Sequence, residues 1–94
     1  MNGGKLNNMK NINEEVWEAV GYDIEKLELI KEQSRKMSVA MPRWKVFTIL
    51  YEKGFSQIEI GYFFNMDHSS VSHGLKRDEE IQEFEERRSK FIKF

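Results

Sequence analysis

The chain has 94 residues, 39% of them hydrophobic and none of them cysteine, which allows one small domain with a single core and excludes disulfides, thiolate metal sites and cysteine catalysis. No apolar run approaches the roughly 20 residues of a membrane span and no secretory signal opens the chain, so a cytoplasmic protein without membrane contact is expected. The net charge of −1 argues against a nucleic-acid partner at first sight, yet residues 34–77 hold seven Lys and Arg against three Asp and Glu, leaving that stretch at +4 and the remainder at −5.

Residues 1–11 are rich in Asn, Gly and Lys without periodicity and read as a flexible tail, with the folded domain spanning residues 12–94. Asn13 is expected to cap a first helix carrying Glu14 and Glu15 in its first turn and Val16, Trp17 and Val20 on its apolar side, with Gly21 ending it. Ile24, Leu27 and Ile30 give a second short helix. The basic segment from Ser34 to Met41 lacks an apolar period and reads as a loop. Pro42 suits a first helical position, after which Val46, Phe47, Ile49 and Leu50 recur at core spacing until Gly54 supplies a stop. Ser56-Gln57-Ile58-Glu59 fits a capping box, so another helix is expected from Ser56 with Ile60, Phe63 and Phe64 inside. Asn65-Met66 is a turn, and Asp67 is the natural cap of the next helix, its carboxylate accepting from the backbone N–H near Ser70. Beyond Arg77 the charged run with Ile81, Phe84, Phe91 and Ile92 predicts a closing helix. The expected fold is all-α, a small helical bundle containing a helix-turn-helix and a closing C-terminal helix.

The segment from Asp67 to Arg77 separates into two faces when wrapped at about 100° per residue. Ser69, Ser70, His73, Lys76 and Arg77 fall within a sector of roughly 120°, while Val71, Gly74, Leu75 and Asp78 cluster opposite. Short hydroxyls, an imidazole and cations on one exposed face suit base edges and phosphates, and a helix fits the major groove of B-DNA. Double-stranded DNA is therefore the expected partner. Asp67 could also accept from a cytosine amino group, and His68 stands at the helix start. Arg35, Lys36, Arg43, Lys76 and Arg77 are simplest as phosphate contacts, and Gln57 heads the preceding helix. Trp44 and Tyr51 read as packing residues, and Gly74 as a point of close helix approach. Catalysis is not expected: adjacent Asp, His and Ser on one helix diverge instead of converging. His68 and His73 are about 140° apart around the helix, a poor pair of metal ligands. No cofactor is implied. A rival reading is a helical protein-interaction module that docks through the Phe-rich end Phe91-Ile92-Lys93-Phe94.

Asp67-His68-Ser69-Ser70-Val71-Ser72-His73 resembles a motif of the C-terminal DNA-binding domain (domain IV) of the bacterial replication initiator DnaA, where Asp-His-Thr-Thr-Val is followed by any residue and His. Ile60-Gly61 with Phe64 resembles that family's preceding helix, and Ser38-Val39-Ala40-Met41-Pro42-Arg43 its basic loop. Tyr22, Ile24, Leu29 and Ile30 fall where its first helices carry apolar anchors. The likeness runs from about Ile12 to Arg77. It implies an all-helical, monomeric reader of duplex DNA, with Asp67, His68, Ser69, Ser70 and His73 in the major groove and Arg43 near backbone or minor groove. A role in replication or its regulation, with a replication or regulatory protein as a further partner, follows from the same likeness. Ser69 and Ser70 replace the family's two Thr, Met41 replaces a loop Arg, and no phosphate-binding Gly-Lys-Ser/Thr loop is present.

Overall fold

Short polar side chains set where four of the five described helices begin. The computed structural model describes residues 11–34 and 36–91. Among them are five helices and no strand: α1 (Ile12–Ala19), α2 (Ile24–Lys31), α3 (Met37–Glu52), α4 (Gln57–Phe64) and α5 (His68–Phe91). The molecule is an all-α small bundle. The proposed tail lies outside the described residues up to Lys10, as do Arg35 and residues 92–94.

The first helix is capped by Asn11, two residues before the expected Asn13: the Asn11 Oδ1 accepts the Asn13 N–H at 2.8 Å. Asp23 caps α2 through the N–H groups of Glu25 at 2.9 Å and Lys26 at 3.3 Å. The capping box of α4 is reciprocal, Glu59 N–H donating to Ser56 Oγ at 3.1 Å and Ser56 N–H to Glu59 Oε1 at 2.8 Å. Three helices stop in the same way, with paired 6→1 and 5→2 bonds after the last turn. Tyr22 N–H reaches Trp17 O and Gly21 N–H reaches Glu18 O; Phe55 and Gly54 repeat the pattern on Leu50 and Tyr51, and Met66 and Asn65 on Gly61 and Tyr62. Gly21, Gly54 and Asn65 take positive φ to make these turns.

The segment expected as a loop up to Met41 is shorter than that, because α3 starts at Met37 and Pro42 lies inside it. Its N-cap Lys36 has no side-chain cap bond, so no local signal marked the start. Burial of Val39 and Ala40 against the core supplies the stabilisation that capping does not. Pro42 lacks the N–H that would bond Ser38 O, one missing rung in a helix of 16 residues.

Phe47, Phe64, Leu50, Ile60, Val16 and Val71 are fully buried and come from α1, α3, α4 and α5. Each such side chain contributes about 1.5–3 kcal/mol of transfer free energy. Phe47 and Phe64 meet edge to face with centroids 5.1 Å apart. Ile30 is the anchor of α2, whereas Tyr22, Ile24 and Leu29, expected inside with it, are exposed. The closing helix and the two-faced helix are one element, α5, whose 24 residues span about 36 Å.

Candidate nucleic-acid interface

The first half of α5 is held against the bundle by the face predicted to pack. Val71, Gly74 and Asp78 are buried and Leu75 half-buried. A Cβ at Gly74 would come within 2.6 Å of Trp44 Cδ1 and 2.7 Å of Phe47 Cδ2, so its missing side chain lets α5 lie directly on α3. Asp78 is anchored from both sides: its Oδ2 accepts from Thr48 Oγ1 at 2.7 Å and from Gln82 Nε2 at 2.6 Å. Asp78, which the helical wheel places on the packing face, is thus an internal tie between α3 and α5.

Three residues, Asn65 to Asp67, connect α4 to α5. This turn is tight because Gly61 has no Cβ; one would sit 2.5 Å from Met66 O. Gln33 reinforces it from the other side, its Nε2 donating to Phe64 O at 3.1 Å. Asp67 begins α5 as expected, but its Oδ2 accepts from the Ser69 N–H at 3.0 Å and from the Ser69 hydroxyl, not from Ser70. The hydroxyl bond and then the N–H bond hold the Asp67 carboxyl below the usual carboxylate range. His68 Nδ1 is 3.7 Å from Asp67 Oδ1, and both side chains are exposed.

The face opposite the buried one makes a ridge. Ser69, Ser70, His73 and Lys76 are exposed and Arg77 is half-buried. A groove of about 700 Å³ runs along one flank, lined by Ser69, Ser70, His73 and Arg77 on the α5 side and by Ser34, Arg43 and Trp44 across from them. A second groove, of about 560 Å³, touches α5 at His68 and brings it together with Gln57 beside Tyr51 and Ile58. Gln57, Ser72 and Lys76 share a third, of about 590 Å³. Nine of the expected site residues thus gather on or beside the ridge, with Lys36 exposed at the α3 N-cap. Arg35 lies outside the described residues.

Arg43 lines the first groove in a different capacity from the one expected. It is buried, with 7% of its surface exposed. Its Nη1 donates to Glu32 O at 2.5 Å and its Nη2 to Ser34 O at 3.2 Å, so two of its donors brace the segment between α2 and α3. Its Nε is buried without an acceptor. Burial lowers its pKa from the ordinary arginine value. A guanidinium that gives two of its five donors to backbone carbonyls acts as a structural brace, a role that the sequence did not signal.

Trp44, Gln33, Ser34 and Ser72 belong to this surface without having been singled out for it. Trp44 does pack, as expected, but it also carries groove residues. The Arg77 guanidinium lies 5.6 Å from its ring centroid. His73 meets the same ring edge to face at 6.2 Å. Ser72 needed only the helical wheel, whereas the other three depend on contacts between distant segments. Tyr51, expected to pack like Trp44, is half exposed.

Among the described residues no group of three His, Cys, Asp or Glu is placed to hold a metal ion, and no helix is long and apolar enough to cross a membrane. No protein-family model, curated protein or solved structure matches the chain.

Proposed function

We propose that the chain binds double-stranded DNA sequence-specifically, with α4, the turn and the first half of α5 acting as a helix-turn-helix. The observation that carries this reading is the division of α5: Val71, Gly74 and Asp78 are buried while Ser69, Ser70, His73 and Lys76 form an exposed ridge of hydrogen-bonding side chains between grooves. A convex helix of this kind fits the major groove, where its ridge meets base edges and its flanking grooves admit the phosphate backbones. Ser69, Ser70, His73, His68 and Asp67 are the candidate base readers. Lys36, Lys76 and Arg77, with Gln57 at the head of α4, are the candidate backbone contacts, and Arg35 joins them by sequence. The likeness of Asp67–His73 to the DnaA motif supports a role in replication or its regulation. Neither catalysis nor a cofactor enters this reading.

The test is selection of a preferred site from a randomised duplex library, followed by affinity measurements at several salt concentrations. About four phosphate contacts should give a slope of log K against log salt near −4. On the selected site His73→Ala should cost about 1–3 kcal/mol, with little effect on random DNA. Absence of binding to any duplex at about 50 mM salt would sink the proposal.

A second reading, a protein-docking module, draws on Phe84, which is 64% exposed on the distal half of α5. Association with a protein partner that is insensitive to salt, in a chain that binds no duplex, would favour it.

A further inference from the structure

Trp44 joins the core to the ridge. It is 9% exposed, yet it lines the groove beside α5. Its Cδ1 would stand only 2.6 Å from a Cβ at Gly74, so the ring is clamped between α3 and α5. On the groove side the Arg77 guanidinium lies 5.6 Å from the ring centroid, near enough for a cation–π contact. Glu80 approaches the same guanidinium, Oε1 to Nη1, at 3.4 Å.

We infer that Trp44 is a positioning residue of the DNA interface, holding the Arg77 guanidinium at the groove rim so that a backbone phosphate meets an oriented cation. This rests on the DNA-binding reading. The two contacts on Arg77 differ in what they leave free. A cation–π contact uses the guanidinium face and leaves the in-plane N–H donors available, whereas Glu80 occupies a donor at the edge. An arriving phosphate displaces Glu80, an exposed and weak partner, while the ring contact persists. Arginine loses much rotamer freedom when it is fixed on a ligand, and a ring already buried in the core bears part of that loss before binding. His73, edge-on to the same ring, is steadied by it as well.

The experiment is a double-mutant cycle on the full chain with a mixed-sequence duplex of about 20 base pairs as probe, read as affinity and salt slope. Trp44→Leu should weaken binding by about two- to thirtyfold, the range of a cation–π contact, and flatten the salt slope by up to about 0.9, the share of one phosphate contact. Trp44→Phe, which keeps an aromatic face, should restore most of both. In the Arg77→Ala background, Trp44→Leu should leave the slope unchanged. A purely structural role would lower affinity equally in both backgrounds and leave the slope alone, and that result overturns the inference. Because Trp44→Leu could unfold the chain, Trp17→Phe supplies a second readout in which Trp44 is the sole tryptophan. Duplex should then change Trp44 emission, and Arg77→Ala should reduce that change; an identical response with and without Arg77 also overturns it. A wild-type chain that binds no duplex removes the DNA reading itself, whereas binding with an unaltered slope in Trp44→Leu removes only the role of Trp44.

Discussion

Asp67 and Arg43 show how differently single charged residues reveal themselves. The cap at Asp67 is local: its carboxylate bonds a residue two positions on, so sequence spacing alone located it to within one N–H. Its depressed pKa has a defined consequence for stability. A carboxyl whose folded pKa lies below its unfolded value stabilises the fold above the unfolded pKa, near 3.9, and the contribution fades as pH falls through the folded value. Asp67→Ala should therefore melt below wild type at pH 7, and the two melting curves should converge as pH drops below about 4. Asp67→Asn, an equally good cap, should melt close to wild type at pH 7. Thermal melts followed by circular dichroism decide this, and a gap between wild type and Ala that is constant with pH would refute the capping account. Arg43 was not legible in the same way. Its partners Glu32 O and Ser34 O are backbone atoms 11 and 9 positions away, brought to it only when α2 and α3 pack. Sequence registers the charge of an arginine; tertiary structure decides whether solvent or carbonyls receive it.

Helix existence was readable wherever a cap or stop is encoded in one or two residues. Ser56 with Glu59, Gly21 and Gly54 all act where expected. The start of α3 was missed because it has no capping side chain, and proline inside a helix looks locally like proline at its head. The pairing of α4 with α5 depends on Gly61, whose role in sequence was only a likeness. An added methyl there would meet Met66 O at 2.5 Å. Gly61→Ala gains up to about 1 kcal/mol of helix propensity, but overpacking costs typically 1–3 kcal/mol. The obstacle is backbone that cannot rotate aside, so the net change should be destabilising by about 1–2 kcal/mol. Denaturant melts measure this directly. If α4 and α5 act as a unit on DNA, the duplex affinity of the folded variant should fall as well, since the turn must open to admit the methyl. A variant as stable as wild type would show that the turn has slack the geometry does not suggest.

At the scale of the whole molecule, the proposed DNA partner has to be weighed against a net charge of −1 and against where each charge sits. Of the cations in the basic stretch, Arg43 is buried and Lys53 is paired with Glu15 at 3.0 Å, a contact that raises the Lys53 pKa through the hydrogen bond and then the attraction of the carboxylate. Lys36, Lys45 and Lys76 stay exposed and Arg77 half-exposed. The acid is displaced along α5: Glu79, Glu80, Glu83, Glu85 and Glu86 are all exposed past the ridge. Along α5 the cations Lys76 and Arg77 are thus followed by an acidic run, which Arg87 and Arg88 close. Glu83 lies about 10 Å beyond Lys76 along the axis at 1.5 Å per residue, close to one Debye length at 0.1 M salt. Its repulsion of a duplex lying along the ridge should therefore be felt in dilute salt and screened in concentrated salt. Glu83→Gln/Glu86→Gln should raise affinity for mixed-sequence duplex a few-fold at about 50 mM salt and leave it unchanged near 0.3 M, giving a steeper salt dependence than wild type. Both side chains are exposed, so melting temperature should hardly move. Binding isotherms at the two salt concentrations are the measurement. Equal affinities of variant and wild type in dilute salt would mean that the acidic run of α5 points away from any bound duplex and does not confine it to the ridge.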